Sequence, residues 1–425
     1  MSTQTEAPPL ENNIKPKKLK LKKRKDTKQT KKAAEIYTKM EHAEHILKKP
    51  DTYLGSAEPE NIKTFIHDSA SSKMVEKEID VTPGFYKCFD ELLVNAHDHK
   101  KRMQKVSNDG NSHHMVNNIK VNINDDNSIT FFNDGDGILV EYMEEHKMYP
   151  PTLIFGSLLS GTNFDDNEAR EWGGRNGYGA KLANIFSHKF IVETVCHINK
   201  KKFYQEFTNN MQDKTEPVIS GAKIKPYTKI TWYPDFKRFN MDGLSDDIKS
   251  LMCKRVYDIA GVTDKDTKIY LNEELIQVKT FERYVDMYIG DKAETSRVFE
   301  EGVGWQVLAT CSDDDIFQQV SFVNGINTSR GGTHTDYISD QIKTKLAEFL
   351  KKKKKIDIKP QIIKNQLKLF VNASKIVNPV FDSQTKETLK TPKAKFGTTI
   401  DISDKFITQL VKTDIFAKIQ AQAAY

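Results

Sequence analysis

Cysteine is scarce in this chain. Its 425 residues include four, Cys88, Cys196, Cys253 and Cys311, which lie far apart and form no CxxC pair. That argues against a disulfide framework or a zinc site and fits a reducing compartment. No run of eighteen apolar residues occurs, so no membrane span is expected. The N-terminus lacks the apolar core of a secretory signal. The glycine-rich stretch GGRNGYGAKLANIF (Gly173–Phe186) is not followed by Gly-Lys-Ser/Thr, which excludes a Walker A loop. It is not GxGxxG either, because Leu182 stands where the last glycine would fall. No internal repeat is visible.

The charge is unevenly spread. Lys15 to Lys32 holds eleven basic residues and one acid, a balance of +10 in a chain of net charge +6. Residues 1–14 contribute −2, so residues 33–425 carry only −2. The run cannot bury a core and reads as a disordered basic tail over 1–32. Nuclear import, nonspecific nucleic-acid contact and plain solubilisation are its three readings.

Beyond the tail, the spacing of Ile36, Met40, Ala43 and Leu47 predicts a helix that Pro50 stops. A strong helix is predicted from Pro83 through PGFYKCFDELLVNAHDHKKRMQKV, with Phe85, Phe89, Leu92, Leu93 and Ala96 as its apolar stripe. His113 and His114, in the polar loop read over residues 101–117, are adjacent rather than i,i+4, which speaks against a metal pair. IKVNIND and SITFFND read as a hairpin, and KFIVETVCHI, KKFYQEFT, YTKITWYP and DTKIYLNEELIQV supply further strands. An open sheet with helices on one face is expected, an α+β layer sandwich. From about residue 279 the pattern starts afresh. The strands WQVLATCS and FQQVSFVNG, a long helix ending in Lys351–Lys355 and the strand NQLKLFVNASK suggest a crossover unit in a second α/β domain.

Three motifs carry chemistry. In DELLVNAHD, Glu91, Asn95 and Asp98 share one helix face opposite Phe89, Leu92 and Leu93. The carboxylate can polarise a water and the amide oxygen can sit on a hard cation such as Mg²⁺, although a solvated polar face gives the same pattern. In NDGDGI, Asn133 at a strand end can pair with the edge of a base. Gly135 and Gly137 let the backbone approach a ligand, and a plain Asp-Gly turn is the alternative. In the glycine-rich stretch, successive N–H groups can form an anion nest, a helix starts near Ala180, and Lys181 can add charge to a phosphate.

Their order resembles the GHKL (Bergerat) ATPase fold shared by DNA gyrase, the ninety-kilodalton heat-shock chaperones, sensor histidine kinases and MutL proteins. EHILKKPDTYLGS, DELLVNAHD, NDGDGI, GGRNGYGAKLANIFS, FVNGINTSRGGTH and NPVFDSQTKETL narrow it to the N-terminal half of the eukaryotic type IIA DNA topoisomerases, over about residues 40–415. The resemblance implies a GHKL ATPase domain with an N-terminal dimer-exchange arm over 33–278 and a transducer domain over 279–425. A chaperone or mismatch-repair relative would lack the SRGGTH and QTKE blocks. A purely DNA-binding protein would leave Glu91, Asn95 and the glycines unexplained.

Residue by residue, the resemblance implies that Glu91 is the general base for the attacking water and that Asn95 holds Mg²⁺ between phosphates. Asn133 would bond the adenine. Thr162 and Asn163 would touch the ribose or a phosphate. Gly174, Arg175, Asn176, Gly177, Tyr178, Gly179, Ala180 and Lys181 would wrap the triphosphate of ATP, and Gln384 and Lys386 would reach the γ-phosphate. Gly161 replaces a serine usual in the family, which puts one nucleotide contact in doubt. Asp136 replaces a frequent lysine and is expected to point to solvent. ATP would close a homodimer around double-stranded DNA in the nucleus. Lys351, Lys352, Lys353, Lys354 and Lys355 would contact DNA without sequence preference. Arg283-Tyr284 lies in the wrong region for a cleavage tyrosine and reads as part of an amphipathic helix. Asp313–Asp315 reads as a loop. A chain of this extent would hydrolyse ATP and dimerise but not cleave DNA.

Overall fold

The computed structural model describes residues 42–158 and 178–424. The basic tail, the expected helix up to residue 41, and Gly161, Thr162, Asn163, Gly174, Arg175, Asn176 and Gly177 lie outside the described residues. Two antiparallel strands, β1 (Glu60–Asp68) and β2 (Lys73–Val81), pair along their whole length. Next comes α1 (Pro83–Val106), the whole predicted helical stretch, so residues 101–106 belong to the helix and not to the polar loop expected over 101–117. Pro83 suits the first helical position because its missing N–H would find no partner within the helix and its φ is already fixed. The stripe Phe85, Phe89, Leu92, Leu93 and Ala96 is buried. Phe85 stacks on Trp232 at 5.4 Å between ring centroids, and Phe89 meets Phe131 at 5.6 Å. Each such burial contributes about 1.5–3 kcal/mol, which seats α1 on the sheet behind it.

That sheet starts with the expected hairpin, β3 (Asn118–Ile123) and β4 (Ile129–Asp134). After α2 (Pro150–Gly156) and α3 (Gly179–Ile185) come β5 (Ser187–Val195), β6 (Lys201–Thr208), the short β7 (Asp213–Lys214), β8 (Val218–Gly221) and β9 (Tyr227–Pro234). The next helix, α4 (Asp246–Val262), is capped by Ser245, whose Oγ accepts from the Ile248 N–H at 3.2 Å. The hairpin of β10 (Lys268–Leu271) and β11 (Glu274–Leu275) follows. Among the described residues these form a nine-stranded sheet ordered β11-β10-β3-β4-β9-β5-β6-β7, with β8 beside β6.

A second set of elements follows. α5 (Phe281–Ile289) leads to β12 (Val298–Gly302), β13 (Trp305–Cys311), β14 (Gln318–Val323) and β15 (Ile326–Asn327). Two helices, α6 (Thr333–Phe349) and α7 (Pro360–Asn365), then carry the chain to β16 (Leu367–Ala373). The order is β12-β13-β16-β14-β15. Strands β14 and β16 are parallel, so their connection must cross over, as the strand–helix–strand order predicts. Every residue of β16 is buried, as a central strand requires. The last helices, α8 (Asp404–Val411) and α9 (Ile415–Ala423), pack on this second core through Phe406, Leu410 and Ile419.

Ala43–Tyr425 is one compact unit, and the β1–β2 pair, α4 and α5 meet the second sheet along a seam. Met74, Val262, Tyr284, Phe322 and Phe370 share one apolar cluster there. Tyr284 is fully buried and its hydroxyl donates to Asp258, so the Arg283-Tyr284 pair is ordinary helix packing. Asp313–Asp315 is the loop between β13 and β14, with Lys368 Nζ 2.8 Å from Asp313. Arg255 on α4, fully buried, ties the seam: its Nε donates to Asp90 Oδ1 at 2.6 Å and its Nη2 to the Gly325 carbonyl at 2.7 Å. Arg255→Ala strands Asp90 without its cation, while Asp258 keeps Lys254 Nζ at 2.9 Å. It is expected to cost about 3–5 kcal/mol, read as a lower urea midpoint.

Candidate functional site

Glu91 lies one turn after Lys87 and one turn before Asn95 on α1. Its face of the helix is not solvated: Glu91 is 8 % exposed and Asp98 2 %, while Asn95 is half-buried. Lys87 Nζ approaches Glu91 Oε1 at 2.8 Å, and Lys386 Nζ approaches the same oxygen at 3.4 Å. Lys386 arrives from a loop beyond the second sheet with a left-handed backbone, φ +58°. The fold therefore brings Glu91 and Lys386 together across 295 residues of sequence. Lys87 escaped the sequence reading; its i,i+4 spacing to Glu91 is the signal that could have found it. Gln384 is exposed on the turn just before Lys386.

Burial opposes the Glu91 carboxylate, but the charges of Lys386 and Lys87 outweigh it and lower its pKa from 4.5 to about 2. Lys386 is held above its ordinary value: burial lowers it, and Glu91 more than compensates. The sign for stability follows. Glu91 binds its proton less readily in the folded chain, so its contribution is complete above about pH 4.5 and is lost as the pH falls toward about 2. Urea midpoints measured across that interval should fall more steeply for the natural chain than for Glu91→Gln.

The second motif sits at the end of β4. Asn133 is half-buried between Ile119 and Thr228 on the neighbouring strands, and its Nδ2 donates to the Asp134 carbonyl at 2.9 Å. Asp134 locks the turn: its carboxylate accepts from the N–H groups of Asn117 and Asn118 and from Asn118 Nδ2 at 2.7–2.8 Å. The turn glycines serve packing. A Cβ on Gly137 would stand 1.8 Å from the Val195 carbonyl oxygen, and one on Gly135 would meet Val116 at 2.7 Å. Asp136 does not point to solvent, contrary to the sequence expectation. It is buried because His113 Nδ1 at 2.6 Å and the His114 N–H at 2.8 Å reach it from the preceding loop. Burial raises its carboxyl pKa, but those hydrogen bonds hold it below the ordinary range.

Of the glycine-rich stretch, residues 178–186 are described, among them Tyr178, Gly179, Ala180 and Lys181. A Cβ on Gly179 would lie 2.2 Å from Glu91 Oε2, so α3 rests on the carboxylate with no room for a side chain. Ala180 is buried and Lys181 is 1 % exposed, its pKa lowered by burial to about 8. Lys181 Nζ lies 5.7 Å from the Tyr178 ring centroid. Lys351–Lys355 lie elsewhere, all exposed, where α6 widens over its last turn so that the Lys355 N–H reaches the Leu350 carbonyl. A cavity of about 900 Å³ lined by Glu76, Tyr288, Asp313, Arg330 and Lys368 includes none of the predicted site residues.

The residues around Glu91 fit a triphosphate. Two nearly buried lysines share one carboxylate oxygen, cations of the kind that bind phosphate. Gly179 lets the α3 backbone lie against Glu91 where any side chain would clash. The Asn95 amide, one turn from the acid, is a donor of the kind hard cations take.

The comparisons with known proteins agree. Residues 268–424 match the DNA gyrase B family model. DNA topoisomerase 2 of Meyerozyma guilliermondii is 44% identical over a 414-residue alignment that covers 91% of this chain and 29% of that protein. The crystal structure of the ATPase region of Saccharomyces cerevisiae topoisomerase II superposes with a TM-score of 0.81 at 41% identity, covering 90% of this chain and 97% of that one. The chain belongs to the topoisomerase II family. The ATPase and transducer domains of Balamuthia mandrillaris topoisomerase II match equally well, with a TM-score of 0.82 at 40% identity over 90% of this chain and 96% of that one. The α+β GHKL fold expected from sequence is the fold observed. The chain spans less than a third of the length of the curated topoisomerase II relatives it matches.

Proposed function

We propose that this chain is the ATP-operated clamp of a type II DNA topoisomerase, binding ATP with Mg²⁺ and hydrolysing it. The observation that carries the reading is the Glu91–Lys386 contact, in which an acid of the first sheet's helix meets a cation from beyond the second sheet. Glu91 holds the attacking water. A carboxylate of pKa about 2 is a poor base. When Lys386 swings onto the γ-phosphate, Glu91 loses one of its two cations and becomes more basic. Base strength would then rise only when substrate is present. Lys386 also stabilises charge on the transferring phosphoryl group. Asn95 would hold Mg²⁺, which neutralises phosphate charge; Asn133 would select adenine; Lys181 and the residues Gly174–Ala180 would line the triphosphate, with Gln384 beside Lys386.

On this reading residues 33–278 form the ATPase domain and 279–425 the transducer, and ATP stabilises the state in which Lys386 has moved. Two chains close around duplex DNA, and Lys351–Lys355 contact its phosphates without sequence preference. The basic tail fits a nuclear protein. The test is molecular mass in solution with and without a nonhydrolysable ATP analogue and Mg²⁺. A monomer that becomes a dimer only with nucleotide supports the clamp. A mass unchanged despite proven nucleotide binding means that ATP operates no gate here.

A further inference from the structure

Asp136 is the hub of a cluster that the nucleotide chemistry does not use. His113 Nδ1 lies 2.6 Å from its Oδ2, and His197 Nε2 lies 3.4 Å from the same oxygen. His114 Nδ1 stands 3.5 Å from Oδ1. Donor atoms of His113, Asp136 and His197 all fall within 4.8 Å of one another. They come from three separate segments: the loop after α1, the turn after β4, and the turn between β5 and β6.

The ring orientations point to a cation. His113 Nε2 faces both carboxylate oxygens of Asp109 at 3.0 Å, so its N–H belongs on that side. At 2.6 Å, Nδ1 shares a proton with the Asp136 carboxylate on its other side, the place a metal ion would take. His197 Nδ1 is buried and has no hydrogen-bond partner among the described residues, while Nε2 faces the same oxygen. Two imidazole nitrogens thus converge on one carboxylate oxygen, an arrangement that protons or a metal ion in their place can hold together. Asp109 stands where a carboxylate orients a metal-bound imidazole by accepting its outer N–H.

We infer that His113, Asp136 and His197 form a site for a borderline divalent metal ion of the zinc class, with water or His114 as fourth donor. Two imidazoles and one carboxylate suit zinc and exclude a preference for Mg²⁺, which takes oxygen donors. Four donors about 2.1 Å from a tetrahedral ion stand about 3.4 Å apart. The His197–Asp136 distance is already 3.4 Å, the His113–Asp136 distance needs to open by less than about 1 Å, and the His113 and His197 donors, within 4.8 Å of each other, need to close by at most about 1.4 Å. The site runs against two sequence expectations: the scarce cysteines argued against zinc, yet imidazole and carboxylate need no thiolate, and the adjacency of His113 and His114 argued against a metal pair, yet the second imidazole comes from His197. Occupancy would staple the three segments around the turn that presents Asn133. This inference does not depend on the nucleotide reading.

The test titrates the chelator-treated full chain with Zn²⁺ against a chromophoric chelator, in excess Mg²⁺. One saturable equivalent is expected, with a rise in melting temperature. Co²⁺ should give the visible spectrum of a four-coordinate nitrogen–oxygen site. His197→Ala should weaken binding by about 100-fold or more, and Asp109→Asn, which removes only the orienting group, by about 10-fold. His188→Ala, at the separate His188–Asp235 pair, should change nothing. His197→Asp keeps a ligand and should keep most of the affinity, which separates loss of the site from loss of the fold. Absence of saturable binding, or binding that His197→Ala leaves intact, would overturn the site and leave a proton-bridged histidine–aspartate network.

Discussion

Glu91→Gln should lower ATP turnover by about 10²- to 10⁴-fold, the range for loss of a positioned general base, while nucleotide still binds. The amide has the shape of the carboxylate, so Gly179 keeps its close approach and α3 its seat. Only the charge is lost. That leaves Lys87 and Lys386, both nearly buried, facing a neutral group, which destabilises the nucleotide-free fold by up to about 3–5 kcal/mol. A triphosphate would supply the missing negative charge. ATP should therefore bind the variant at least as tightly as the natural chain and raise its melting temperature more. A coupled assay gives turnover, and equilibrium binding of a fluorescent ATP analogue gives affinity. Normal turnover would remove Glu91 from the chemistry. Lost binding would make it a structural partner of the two lysines alone.

The parts of the fold that were legible are those whose signals are local. Pro83 marked the start of α1 and the Phe85–Ala96 stripe its buried face, because a proline start and a 3.6-residue period need nothing from elsewhere in the chain. The hairpin of β3 and β4 and the parallel pair β14 and β16 followed from alternation and from a helix placed between strands. What stayed hidden depends on contacts between distant segments. Arg255 finds Asp90 across 165 positions, and no periodicity marks either as a seam residue.

The candidate site divides in the same way. Glu91 and Asn95 could be picked out because one helix turn sets their relation. Lys87 belongs to the same helix, yet it was passed over because a lysine four residues before a glutamate is usually a solvent pair. Only burial gives it weight. Asp136 went wrong for a different reason. Between two glycines a carboxylate reads as exposed turn chemistry, and the loop bearing His113 and the turn bearing His197 close over it only in three dimensions.

Lys386→Gly should lower turnover by about 10²- to 10³-fold, the cost of removing one preorganised donor from a developing charge. Glycine is the informative replacement. Lys386 sits at φ +58°, a conformation that costs most L-residues energy and glycine little, so the variant removes the cation without straining the loop. Lys386→Arg, which keeps the charge on a bulkier head, should retain part of the activity. Without nucleotide, Lys386→Gly leaves Glu91 with Lys87 alone, and the Glu91 pKa rises. Its acid-stability loss then begins and ends at higher pH than in the natural chain. The double variant Glu91→Gln, Lys386→Gly should lose little more turnover than the worse single variant, because base and cation act on one phosphoryl group. If the two losses multiply instead, Lys386 works apart from Glu91. If Lys386→Gly turns over normally, the contact between them serves only to hold the second sheet's loop against α1, and the switch must lie elsewhere.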